Sequence, residues 1–292
     1  MNQQQNDKGA LALMAITVAI WGYSWIVMKT LSPLMGPFDL VMARYGLAFV
    51  FLFLILVVTR QTLKFPPFWP TLGVAVFQAV GFQCLCQLAL VTGGAGHVVM
   101  LAYTMPFWVL VFAWLLLGER PARRHLIAFG LAGVGLLAII APWRGVGSLQ
   151  SSLLALAGGM SWGLGVVLSK MMFQRYQPHV LNLTTWQMFL GAVLTWPLTW
   201  LIPQQEIVWG PALAWGLAYM AIMASALGWW LWLSVVRRVS ATVAGMSSLG
   251  VPVLAVMLAW VVLGEQPGSL ELIGITLIMT GLLVLNLPRR TA

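Results

Sequence analysis

A chain of 292 residues that is 61% hydrophobic and only 7% charged cannot cover a surface facing water, because soluble domains carry roughly 25% charged residues. Its net charge of +9 does not mark a nucleic-acid binder, since the basic residues sit in short segments between apolar runs and form no basic domain. The composition therefore excludes a soluble fold and makes lipid the main solvent.

The first apolar run, Gly9 to Met28, has twenty residues, the length that crosses a hydrocarbon core of about 30 Å. It is longer than a signal-peptide core and lacks a small-residue cleavage site, so it is expected to stay as the first span. Counted from about 10–29, the apolar runs continue at 38–58, 70–91, 96–117, 125–142, 151–170, 180–202, 211–235, 241–263 and 270–287. These runs are continuous rather than alternating, and lipid tolerates only helices or closed barrels. The pattern predicts an all-α integral membrane protein with ten transmembrane helices. Cys84 and Cys86 lie two apart in one run, where a helix points them in different directions, so no mutual disulfide is expected.

Charge sets the orientation. With the N-terminus in the cytoplasm, Lys8, Arg60, Lys64, Arg120, Arg123, Arg124, Lys170, Arg175, Arg237, Arg238, Arg289 and Arg290 fall at cytoplasmic ends. Only Lys29 and Arg144 fall outside, and Arg44 falls inside the second span. This positive-inside bias predicts that both termini are cytoplasmic.

The chain also repeats itself. "WGYSWIVMK" from Trp21 returns as "WGLGVVLSK" from Trp162, 141 residues later, and Pro37 meets Pro178 at the same offset. "GERP" at 118–121 returns as "GEQP" at 264–267, and at that offset of 146 Pro106 meets Pro252 and Met100 meets Met246. The landmarks predict two five-helix repeats, 1–146 and 147–292. Five is odd, so the second repeat would enter the membrane from the opposite side, the usual build of secondary transporters.

The Trp-Gly pairs in spans one and six, the prolines in spans four and nine, and the Gly-Glu-Arg-Pro-like ends resemble the drug/metabolite transporter superfamily, EamA type, over essentially the whole chain. "VTGGAGHVVMLAYTMPFWV", "LTTWQM" and "PQQEIVWGP" are similar to the bacterial inner-membrane subgroup that exports cystine. The resemblance implies an inner-membrane exporter with a cavity between the halves, lined by spans one, three, four, six, eight and nine.

Candidate residues follow from chemistry that lipid makes costly. Trp21 and Trp162 could wall a central cavity or simply pack, with Gly22 and Gly163 admitting close neighbours. Pro106 and Pro252 each remove a backbone donor and kink their helices, as hinges or as static bends. Tyr103, three residues before Pro106, could lend its hydroxyl to a solute or to another helix. Gln83, with Gln87 and Gln78 about a turn away on either side, could bind a zwitterion or glue helices. Ser247 and Ser248 face the same choice, and Met100 joins the expected substrate-binding set. Arg44 could anchor a substrate carboxylate or snorkel outward. Lys29 and Lys170 are expected as interfacial anchors.

No carboxylate lies mid-span, which argues against proton exchange for lipophilic cations. There is no GxxxxGK[ST] loop, no cluster with metal-ligand spacing and no nucleophile–base arrangement. The expectation is a monomeric, cofactor-free and metal-free exporter of small amino-acid-like metabolites, working by alternating access, with cystine favoured. An exporter of drugs or other metabolites is the alternative reading, and a membrane-embedded enzyme the remote one.

Overall fold

A backbone in lipid must satisfy its own polar groups, and long apolar runs without strand alternation do so as helices. The computed structural model describes residues 3–93, 95–140, 149–263 and 268–286, and among these no residue is in a strand. The GEQP stretch, Arg144, Arg289, Arg290 and the expected junction at 146–147 lie outside them.

The helices are α1 (Gln3–Leu31), α2 (Pro37–Val58), α3 (Phe68–Val74), α4 (Phe82–Thr92), α5 (Ala95–Ala102), α6 (Met105–Leu117) and α7 (Arg123–Ile140). After them come α8 (Leu149–Tyr176), α9 (Val180–Leu201), α10 (Pro211–Ala218), α11 (Gly228–Arg238), α12 (Ala241–Ser247), α13 (Gly250–Leu263) and α14 (Ser269–Asn286). Six stretches are long and apolar enough to cross a membrane, namely Gly9–Leu31, Pro37–Val58, Phe68–Thr92, Val98–Leu117, Leu149–Tyr176 and Pro211–Arg238. The apolar stretches His125–Gly135, Ala241–Ala255 and Leu272–Gly281 are shorter. In α9, buried Asn182, Thr184, Thr185 and Gln187 lower the apolar content.

Two helical rods contain an irregularity that the sequence does not announce. Ala75–Gly81 joins α3 to α4, and Tyr219–Leu227 joins α10 to α11, each as a π-helical stretch. Such wide turns free carbonyls from the normal ladder and recur at functional sites. Two other expected spans, 96–117 and 241–263, are each divided in two rather than bent. The breaks fall at Tyr103–Thr104 and Ser248–Leu249, and Pro106 and Pro252 sit in the first turns of α6 and α13. Proline supplies no N–H to the residue four before it, and the chain accordingly restarts its helix there.

The packing crosses between the first and second parts of the chain. Helix α2 pairs with α9 and α7 with α14, while α1 packs on α11 and α13, and α8 packs on α4 and α6. Glycines set the approach. A Cβ on Gly22 would lie 2.9 Å from the Leu254 side chain, and one on Gly163 would lie 2.8 Å from Trp108 Cβ. One on Gly159 would lie 2.6 Å from the Ala102 carbonyl, so the break before Pro106 is pressed directly onto α8. Gly9 meets the Arg238 side chain and Gly216 meets Leu31, so α1 runs antiparallel to 211–238.

Candidate substrate cavity

Where α1, α2, α4, α8 and α11 converge, Trp21, Ser24, Trp25, Met28, Arg44, Phe82, Gln83, Tyr103, Trp162 and Trp229 surround a cavity. The space open to the centre of a water-sized molecule is about 20 Å³, enough for roughly one water and too small for an amino acid.

Its floor is aromatic. The Trp21 ring lies 5.5 Å from Trp162, 5.1 Å from Trp229 and 5.7 Å from Trp232. Phe82 stacks on Trp162 at 4.5 Å, and Tyr103 meets Trp162 edge-on at 5.3 Å. Edge-to-face pairs at these separations add about 0.5–1.5 kcal/mol each beyond area burial. The π stretch explains why Trp21 is fixed here: its Nε1 donates to the Ala224 carbonyl at 2.9 Å. Gly228 makes the room, since a Cβ there would lie 2.5 Å from Trp21 Nε1. Trp162, the counterpart of Trp21, is buried with no partner for its own Nε1 among the described residues.

The polar wall is built around Arg44. Its Nε donates to Ser225 Oγ at 2.8 Å, and Ser225 in turn donates to the Met220 carbonyl across the second π stretch. Arg44 Nη1 reaches Met28 Sδ at 3.8 Å, and Gln83 Nε2 reaches the same sulfur at 3.9 Å. The guanidinium carbon lies 5.5 Å from the Tyr45 ring centroid. Arg44 is 3% exposed, and among the described residues its ionisable neighbours are the phenols of Tyr45 and Tyr219 rather than a carboxylate. Thioether sulfur is a weak acceptor, so an arginine with five donors keeps unmet capacity for an anion.

Of the residues singled out in the sequence, Trp21, Arg44, Gln83, Tyr103 and Trp162 come together here. Met100 is packed in the core at 1% exposure, and Ser247 is half-buried; neither lines the cavity. Ser248 donates to the Gly245 carbonyl of its own helix at 2.7 Å. Gln83 and Gln78 do not share a face: Gln83 lines the cavity, whereas Gln78 turns toward Ser169 and Gln187; Gln87 is buried but does not line the cavity. Five residues of helix already turn the amides of Gln78 and Gln83 about 140° apart. Ser24, Trp25, Met28, Phe82, Trp229 and Ser225 escaped the sequence reading. Met28 could have been found from its place one residue before Lys29 in the repeated motif.

The lysines that close that motif do more than anchor. Lys170 Nζ donates to the carbonyls of Val236, Arg237 and Val239 at 3.1, 3.4 and 2.6 Å, capping the end of α11. Lys29 Nζ donates to the Gly93 carbonyl after α4 at 3.4 Å. Beside Lys170, Glu119 accepts from the backbone of Ala241 and Thr242 and from Thr242 Oγ1 at 3.3, 3.4 and 3.0 Å. This corner lies at the Gly9 end of α1, opposite the Met28 end that lines the cavity.

The sequence model of the EamA-like transporter family matches the chain twice, at 8–141 and 149–287. An uncharacterized transporter of Bacillus subtilis, YoaV, is 25% identical over 94% of this chain and 95% of its own. A probable amino-acid metabolite efflux pump of Salmonella typhimurium is 29% identical over 94% and 93%. A probable pump of the same description in Escherichia coli is 25% identical over 94% and 93%. One solved crystal structure shares the fold with a TM-score of 0.79 at 18% identity, covering 96% of each chain.

Proposed function

Because the chain belongs to the EamA-like transporter family, we propose that it exports small amino-acid-like metabolites, cystine foremost, across a bacterial inner membrane by alternating access. It is a multi-pass membrane transporter, and its family and relatives point away from an enzyme. The substrate reading rests above all on Arg44, a buried cation facing a cavity with no carboxylate beside it among the described residues. Burying an unpaired charge is costly unless a partner arrives. A solute carboxylate supplies that partner, Gln83 and Tyr103 bind the remaining polar atoms, and Trp21, Trp25 and Trp162 hold the apolar part.

Ten spans carry the pathway as two inverted repeats, 1–146 and 147–292, in a monomer with both termini cytoplasmic. Supporting this, α1 leans on α11 and α13 as α8 leans on α4 and α6. The Gly22–Leu254 and Gly163–Trp108 approaches are counterparts at the two offsets. The basic residues place the Glu119–Lys170 corner at the cytoplasmic end, so the cavity lies on the outer side of the tryptophan floor. Pro106 and Pro252 mark the hinges at the two helix breaks. A cavity this small requires the halves to separate before a solute enters.

The test is counterflow in proteoliposomes of the purified chain with radiolabelled cystine, other amino acids and cationic dyes. Exchange of cystine or amino acids, abolished by Arg44→Met, supports the reading. Transport restricted to cationic dyes overturns it.

A further inference from the structure

Gln78, Ser169 and Gln187 form a second polar cluster, each 0% exposed, brought together from the first π stretch, α8 and α9. Gln187 Nε2 lies 3.3 Å from Gln78 Oε1, and Ser169 Oγ lies 3.1 Å from it. Ser169 also reaches the Gly165 carbonyl at 2.8 Å, and its single proton cannot serve both. Gln78 Nε2 and Gln187 Oε1 are buried without partners among the described residues. Turning both amides over exchanges their roles, yet one donor and one acceptor still stay unfilled. Native interiors rarely leave such groups unpaired without a reason.

Position supplies the reason. Ser169 stands to Lys170 as Met28 stands to Lys29, in the two copies of the motif. Gln187 lies seven residues into α9, as Arg44 lies seven residues into α2. Gln78 belongs to one π stretch and Ser225 to the other. The buried cluster is therefore the counterpart of the Arg44–Met28–Ser225 wall, but without a charge.

We infer that Gln78, Ser169 and Gln187 form a second solute station that opens toward the cytoplasm when the Glu119–Lys170 corner parts, taking an α-amino zwitterion. The unfilled donor meets the solute carboxylate and the unfilled acceptor meets its ammonium group. A neutral station lets the solute load without the tight hold of a guanidinium. This inference rests on the alternating-access reading above and extends it to named residues of the loading side.

The test uses the full chain with Cys84 and Cys86 replaced by alanine and Ser169→Cys introduced, a change of one atom in the side chain. Inside-out and right-side-out vesicles are treated with a membrane-impermeant maleimide, and amino-acid counterflow is measured alongside. The station predicts labelling from the cytoplasmic face alone, slowed several-fold by an equimolar mixture of α-amino acids including cystine. No labelling of the folded variant from either face, with counterflow present in the unmodified chain, overturns the station and leaves the transport function standing. Labelling of the folded variant that the mixture does not slow overturns its zwitterion complement. Absent counterflow in the unmodified chain tells against the function itself. As a second measurement, Gln187→Leu raises KM for cytoplasmic solute on the order of tenfold with KM from outside unchanged. A purely structural glutamine would lower folded yield and leave both KM values alone.

Discussion

The two ends of the bundle carry the same Trp-Gly…Lys element and hold it differently. At one end Lys170 binds three carbonyls with Glu119 capping the next helix alongside, whereas at the other Lys29 reaches a single carbonyl at 3.4 Å. A carrier made of two related halves must break its own symmetry at any instant, because one side closes while the other yields. On the alternating-access reading proposed above, the tight corner and the slack one are that difference written in hydrogen bonds. The polar clusters differ in the same way, with a charged wall around a small cavity toward one end and a neutral, fully buried cluster toward the other.

The largest way to break the comparison is to erase its charge. Arg44→Met is expected to cut amino-acid counterflow on the order of 100-fold, as losing one partner of a buried charged contact costs about 2–5 kcal/mol. Folded yield on size-exclusion chromatography should hold, since no described carboxylate loses its partner.

Next comes the close packing. Gly159→Ala forces a methyl against the Ala102 carbonyl, and backbone cannot yield as a side chain can. Overpacking of this kind costs about 1–3 kcal/mol, read as a lower Tm in detergent. Gly22→Ala meets only the flexible Leu254 side chain and should lower Tm less. Equal losses would show that the Ala102 carbonyl yields as readily as the Leu254 side chain.

Smaller effects separate the two corners. Glu119→Ala removes charge-assisted bonds worth about 1.5–3 kcal/mol at most, and should raise maleimide labelling of the Ser169→Cys chain several-fold from the cytoplasmic side. Lys170→Met should act in the same direction. Lys29→Met removes one long contact, about 0.5 kcal/mol or less, and should leave that labelling unchanged.

How much of this the sequence discloses depends on which physics is local. Continuous apolar runs locate the helices because lipid permits little else, and repeated rare residues such as Trp21, Trp162, Lys29 and Lys170 point to related positions. The stretches "AVFQAVG" and "YMAIMASAL" read as ordinary helix, yet both wind as π turns. No local propensity marks those turns, because tertiary partners such as Ser161 and Trp21 take up carbonyls within them, those of Phe77 and Ala224. Gln78 and Gln83 part company for a simpler reason that the sequence does show: five residues advance a helix by about 140°. Lys170 looked like a helix end, but α8 continues to Tyr176 because the ammonium finds carbonyls inside the protein. Met28 stayed hidden since a methionine in an apolar run carries no signal apart from its place in the repeat.

The most direct test of two inverted halves is a pair of spin-label distances, Arg123 to Arg237 and Ser269 to Val91. These four sites are exposed, and the offset of 146 carries one pair onto the other. Measured in lipid with Cys84 and Cys86 replaced, adding transported solute should lengthen one distance while shortening the other. Distances that stay fixed, or that change together in the same direction, would contradict the account.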